Sequence, residues 1–306
     1  MAKVIIGIHG LANKGRRRVL ADWWKASIRE GLRKNLRVPN PRFRFEMVYW
    51  ADLLYKNPLH DDKDFSFDAL YNDQPYVPAK RGALQRYDDR WYDRVRGDVR
   101  EHLSHGLEGL KSAIGLDQLA DRLLEKKLKD LAFYWSARQM IRDRNGRRRQ
   151  AGRVLDDECR APLLAHKDDR IMLIAHSMGS IMSYNVLRHL GRPDKGVRVS
   201  HYVTIGAPLG LQIVKERTKR LRWDGKVRTP SIVTERWANL SDRKDPVAFD
   251  THLRDDYGPN ALGVRVVDDL VLNDYTSPSG DANHHKSYGY LRTPEMSELI
   301  GSFLRL

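Results

Sequence analysis

An α/β fold with a mostly parallel central sheet, helices on both of its faces and one large helical insertion is what these 306 residues predict. Three observations lead there. Short, wholly apolar runs of strand length recur along the chain. Stretches with apolar residues at helical spacing separate them. Turn-forming residues stand at the junctions. Residues 57–165 interrupt this rhythm between the second and third predicted strands.

The first strand is Val4-Ile5-Ile6-Gly7-Ile8, apolar throughout and so expected to be buried on both faces. His9 to Asn13 follows as a tight loop. Leu20, Trp23, Trp24, Ile28 and Leu32 then form one stripe of a helix, which Pro39-Asn40-Pro41 ends. Phe43 to Trp50 reads as the second strand, completing a βαβ unit. In the insertion, Asp61 to Lys80 reads as loop, and Tyr87, Trp91 and Val95 recur at four-residue spacing. Leu116, Leu119, Leu123, Leu124, Leu128 and Leu131 mark a longer amphipathic helix. Arg142 to Arg153 reads as a mobile basic run, and a helix through Val154, Leu155 and Leu163 leads back to the sheet. We expect one domain over 1–306, with 57–165 as a helical lid or cap within it.

Ile171-Met172-Leu173-Ile174 is the next buried strand. It runs into Ala175-His176-Ser177-Met178-Gly179, and a helix through Met182, Val186 and Leu190 follows at once. A serine on a sharp strand-to-helix turn, flanked two residues away on each side by Ala175 and Gly179, has its hydroxyl exposed beside the amide-rich start of a helix. The alternative is a serine that only caps that helix. Val199 to Ile205 is a further strand, ending in Gly206-Ala207-Pro208-Leu209-Gly210. A basic connection, 211–230, read as helical, leads to the strand Thr234 to Leu240 and the loop Ser241 to Val247. Val264 to Leu272 is the last strand, Asn273 to Tyr288 the last loop, and Thr293-Pro294 opens the closing helix.

In an open parallel sheet the loops at the carboxyl ends of the strands converge on one crevice. Three such loops here carry Ser177, then an aspartate, then a histidine. A serine hydroxyl needs a base, and an imidazole base needs a carboxylate to fix its tautomer. Asp245 is the candidate acid, with Asp242 as alternate, and His285 the candidate base, with His284 as alternate. His9 and His176 fit better as turn-shaping residues than as proton carriers. Two backbone N–H groups would face a developing oxyanion. They are that of Met178 and one from the loop after the first strand, Leu11 or, in reserve, Ala12.

Composition narrows the classes. No run of apolar residues is long enough to span a membrane, and Met1-Ala2-Lys3 leads straight into a strand pattern without the form of a signal peptide. The single Cys159 excludes an intrachain disulfide, and no Cys/His spacing resembles a zinc site. We therefore expect a cytoplasmic protein needing no metal. The formal net charge of +15 fits an ordinary solvated surface, an anionic substrate, or contact with an anionic membrane or nucleic acid. No familiar nucleic-acid-binding motif is present.

Taken together, Ile8-His9-Gly10-Leu11, Ala175-His176-Ser177-Met178-Gly179, Thr204-Ile205-Gly206-Ala207-Pro208, Asp245-Pro246-Val247 and His285 with Tyr288 make the chain resemble the lipase- and esterase-like serine hydrolases of the α/β-hydrolase superfamily. The elbow departs from the G-x-S-x-G pattern only in having Ala175 for the first glycine. The resemblance implies an α/β-hydrolase fold, a serine nucleophile, no cofactor, and a tyrosine near the base. We expect hydrolysis of small-molecule or lipid carboxylic esters through a covalent acyl-enzyme, the lipid reading resting on the aromatic, leucine-rich insertion and the basic surface. Thioester cleavage or acyl transfer would use the same residues. A non-catalytic binding protein on that fold, with its basic surface facing an anionic membrane or nucleic acid, is the competing expectation.

Overall fold

The computed structural model describes residues 1–10, 13–59, 75–80, 84–87, 131–191, 196–220, 224–248 and 250–306. In chain order these residues form β1 (Lys3–Ile8), α1 (Arg17–Leu36), β2 (Arg44–Val48), α2 (Ala51–Leu54), β3 (Met140–Arg142), β4 (Arg148–Gln150) and α3 (Ala151–Ala165). There follow β5 (Arg170–His176), α4 (Met178–Leu190), β6 (Val199–Ile205), α5 (Gln212–Arg220), β7 (Val233–Ser241), α6 (Leu253–Asp256), β8 (Val266–Leu270), α7 (Ser287–Arg292) and α8 (Pro294–Leu304).

Six strands make one sheet in the order β2-β1-β5-β6-β7-β8, and every pairing in it is parallel. The sheet is apolar on both sides because alternate residues face two separate cores. Val4, Ile6, Ile8, Ile171, Leu173 and Ala175 point to one, beneath α3 and α4. Ile5, Met172, Ile174, Val203 and Ile205 point to the other, beneath α1, α7 and α8. Full burial of each large aliphatic side chain contributes roughly 1.5–3 kcal/mol, so the wholly apolar runs are what a doubly covered sheet requires.

The helices end where their local chemistry directs. The buried stripe of α1 is Leu20, Trp24, Ile28 and Leu32, against the second core. Arg37 closes that helix in the left-handed conformation with its N–H on Leu32 O. Thr293 caps α8, its hydroxyl accepting from Met296 N–H at 3.2 Å, with Pro294 at the first helical position.

Three expectations change. Arg142 to Arg153 is not a mobile run: residues 140–150 are an antiparallel hairpin, and α3 begins at Ala151. Arg144 and Arg149 hold the hairpin down through ion pairs, which composition alone does not reveal. The last loop is shorter than expected, because α7 starts at Ser287. The basic connection is helical only over Gln212–Arg220 among its described residues. Of the insertion, residues 131–135 are helical, and Leu131 and Tyr134 pack into the α3/α4 core. Trp91, Val95 and the leucines from Leu116 to Leu128 lie outside the described residues. No described helix is long and apolar enough to cross a membrane.

Candidate active site

Ser177 is the residue between β5 and α4, and among the described residues it is one of three non-glycine residues with positive φ, at φ 55°, ψ −130°. A serine held there is strained by about 1–3 kcal/mol, so its surroundings must impose the turn. Its N–H is tied to Ile205 O at 3.1 Å. Two residues on, Gly179 packs on the end of β1 so tightly that a Cβ would stand 2.7 Å from His9 O and 3.0 Å from Ile8 O. Ser177 occupies the N-cap position of α4, yet its side chain makes no capping bond. The helix-capping alternative therefore fails. The exposed hydroxyl that the turn predicts is instead buried, Ser177 being 2% exposed, because Gly10 and His285 lie against it.

The hydroxyl turns to His285 instead. Ser177 Oγ lies 3.0 Å from His285 Nε2, and His285 Nδ1 lies 2.8 Å from Asp245 Oδ2 and 2.9 Å from Oδ1. With Nδ1–H donating to the carboxylate, Nε2 is left to accept from the serine. The Asp245 side chain is wholly buried, and that of His285 is 16 % exposed. Asp245 Oδ1 also accepts Val247 N–H at 2.8 Å, a turn bond of the ordinary Asx kind. Its Oδ2 accepts the Tyr290 hydroxyl at 2.8 Å. Gly206, at φ +52°, lies beneath this pair, and a Cβ on it would stand 2.7 Å from Asp245 Oδ2 and 3.1 Å from His285 Nδ1.

The alternates form a separate pair. Asp242 accepts Lys244 N–H at 2.7 Å and Asn273 N–H at 2.6 Å. His284 Nδ1 donates to Asn273 O at 3.0 Å and lies 3.6 Å from Asp242 Oδ2. Both hold the loop that presents His285.

His176 donates from Nε2 to the His285 carbonyl at 2.7 Å, and the two rings stand 4.7 Å apart. His9 accepts Trp50 N–H on Nε2 at 3.3 Å, reaches Gly10 O from Nδ1 at 2.6 Å and stacks on Trp50 at 4.6 Å. Burial, helped by the charge of Lys14 and opposed by the Gly10 bond, pushes its pKa down to about 3. His9 is therefore neutral at ordinary pH, and it fixes the Gly10 carbonyl. Met178 opens α4 and is buried. Leu11 and Ala12 lie outside the described residues.

Tyr290 was not among the sequence candidates. It is fully buried and bridges both acids, donating to Asp245 and accepting Asp242 N–H at 3.0 Å. Tyr288, the tyrosine that the resemblance pointed to, packs on Trp23, Tyr76 and Tyr275. Among the described residues, no group of three His, Cys, Asp or Glu side chains could hold a metal ion.

Fold and site together define a class: a parallel α/β protein with a buried serine, a half-buried histidine and a buried aspartate in one hydrogen-bonded line at the carboxyl edge of its sheet. No protein-family model matches the chain, and no curated protein matches its sequence. Among solved structures it is similar to a protein from Agrobacterium vitis S4 that is provisionally assigned as a hydrolase, with 17% identity over 50% of this chain and 67% of that one, at a TM-score of 0.30. A likeness this slight carries no argument about function.

Proposed function

We propose that the protein is a serine hydrolase that cleaves carboxylic esters. One observation carries the reading: the unbroken line from Ser177 Oγ through His285 to Asp245, with separations of 3.0 and 2.8 Å. In the proposed reaction, Ser177 attacks the ester carbonyl while His285 Nε2 takes its proton. Asp245 stabilises the resulting imidazolium. The oxyanion is received by Met178 N–H and by a backbone N–H of the loop after β1, from Leu11 or Ala12. That loop comes close to the nucleophile, since a Cβ on Gly10 would stand 2.8 Å from Ser177 Cβ. His285 then gives its proton to the leaving alcohol. Water, deprotonated by the same imidazole, frees the acid from the acyl-serine. The strain at Ser177 supports the reading too, because an idle hydroxyl has no need of it.

A fluorophosphonate probe tests the nucleophile directly. The intact protein gains one covalent adduct by mass, and Ser177→Ala gains none. Equal labelling of the two proteins, or none of either, overturns the reading. Turnover of parallel ester and thioester series then separates ester from thioester cleavage.

Tyr290→Phe tests the bridge between the acids. The change leaves Asp242 N–H without its acceptor and Asp245 without one donor, which costs about 1–3 kcal/mol of stability. A carboxylate with one donor fewer holds the imidazolium proton harder. The acid limb of the rate profile therefore moves to higher pH, readable from kcat/KM across pH beside a thermal melt.

A further inference from the structure

Residues 142–153 hold six arginines, and the hairpin sorts them. In β3 and β4 the pairs are Met140 with Gln150, Ile141 with Arg149 and Arg142 with Arg148. Neighbours along a strand face opposite sides, so Met140, Arg142 and Arg148 share one face and Ile141 and Arg149 the other. The inner face is neutralised. Arg149 meets Asp157 at 2.8 Å and Asp143 at 3.6 Å. Arg144, in the turn, meets Asp52 at 2.7 Å and Glu158 at 3.0 Å and donates to Tyr49 O at 2.8 Å. Ile141 packs against the core. The outer face is not neutralised: Arg142, Arg147 and Arg148 are exposed, and among the described residues no carboxylate pairs with them. Met140, 41% exposed, stands among them.

A second basic element adjoins the first. The guanidinium of Arg217 in α5 lies 4.9 Å from the centre of the Trp135 ring and donates to Trp135 O at 3.1 Å, a few residues before β3. Ile213, one turn earlier on the same side of α5, is 51% exposed. Lys219 and Arg220 are exposed at the end of that helix. The hairpin is anchored by Arg144 just past the carboxyl end of β2, and α5 follows the turn at the carboxyl end of β6. The hairpin and the start of α5 therefore border the sheet edge that carries Ser177, while the far end of α5 reaches the last turn of α4, where Thr218 O accepts Arg188.

We propose that this outer hairpin face, with α5, docks the protein on anionic lipid bilayers. Cationic side chains interleaved with exposed aliphatic ones suit a bilayer surface, where the charges meet lipid phosphates and the apolar groups enter the acyl boundary. Single-stranded nucleic acid would be served by exposed aromatic rings on which bases stack; at this junction, among the described residues, Trp135 lies under Arg217 and Tyr134 is buried. Docking through the hairpin brings the Ser177 edge near the membrane surface. The proposal stands on the surface alone, and its test does not depend on the chemistry at Ser177.

The full chain is sedimented with vesicles of phosphatidylcholine alone or mixed with phosphatidylglycerol, from low to high salt, and separately titrated with a single-stranded RNA. Arg142→Glu/Arg148→Glu is compared with Arg18→Glu/Arg33→Glu, an equal charge change on α1 across the sheet. We expect binding to the mixed vesicles only, weakening with salt. The hairpin variant should bind about 30-fold less well, at about 1 kcal/mol for each arginine contact, and the α1 variant like wild type. Both variants keep the fluorophosphonate adduct if Ser177 is the nucleophile, so failure here is distinct from failure there. Equal losses in the two variants, vesicle binding by neither lipid mixture, or binding to RNA in place of vesicles would each overturn the proposal.

Discussion

For the proposed ester hydrolysis, replacing His285 with alanine will slow turnover by about a million-fold, and adding Ser177→Ala to it will cost almost nothing more. The reason lies in the hydrogen bonds. Ser177 Oγ has His285 Nε2 as the base beside it at 3.0 Å, and neither group has use without the other. Residues that act as one unit show this non-additivity, whereas independent contributions would multiply. Asp245→Asn should cost about ten-thousand-fold, because the amide offers its NH₂ group to Nδ1 and favours the wrong tautomer. His284→Ala is the control, since its ring holds Asn273 O rather than Ser177. Steady-state kinetics on one activated ester, for the single variants and the double, decide the matter. A double variant that is worse by the product of the two single losses would mean that serine and histidine do not work together.

Much of this arrangement could be read from residue order, and the reasons are particular. Ile171 to Ile174 is apolar at every position because both faces of β5 are covered. The small residues around Ser177 are needed because Gly179 lies against the β1 carbonyls. Parallel strands bring their carboxyl-end loops together, so a serine, an aspartate and a histidine far apart in the chain meet at one edge. What escaped has equally local causes. Tyr288 and Tyr290 differ by two residues on α7, which turns one toward α1 and the other toward Asp245. Only the helix, which begins two residues after His285, makes that distinction. The arginine run concealed a strand alternation because Arg149 occupies an inner position that ion pairs make tolerable. Asp242 and Asp245 both stand in turns that accept their own backbone N–H groups, so turn chemistry could not rank them.

The same helix leads to the second large effect. Arg292 closes α7 and is 1% exposed. It donates to Asp274 Oδ1 at 2.8 Å, to Val77 O at 2.7 Å and to Glu30 Oε2 at 3.3 Å. Glu30 in α1 also accepts Tyr76 at 2.7 Å and Ala79 N–H at 3.0 Å, and pairs with Lys34 at 2.7 Å. One guanidinium thus joins α1, α7, the loop after β8 and residues 75–80. Arg292→Leu should destabilise the fold by about 3–5 kcal/mol at neutral pH, because it leaves two carboxylates without their shared cation. The loss should shrink in acid. Burial alone would raise the pKa of Glu30, but hydrogen bonds from Lys34 and Tyr76, and then the charge of Arg292, hold it below the ordinary range. A group depressed in the fold contributes stability above its unfolded pKa and loses it as pH falls through the folded one. Burial raises Asp274 despite Arg292, so this carboxyl takes up its proton earlier still. Both carboxyls are therefore neutral in sufficiently acid solution, where removing the cation costs least. Urea unfolding of wild type and Arg292→Leu at about pH 7 and about pH 4 reads the difference, and Arg292→Leu/Glu30→Gln should recover part of it at neutral pH. A gap of equal size at both pH values would assign the loss to packing instead. Because Tyr290 lies two residues before Arg292 on the same helix, a loosened α7 should also lower turnover in the variant, although Arg292 is nowhere near Ser177 in the hydrogen-bond network.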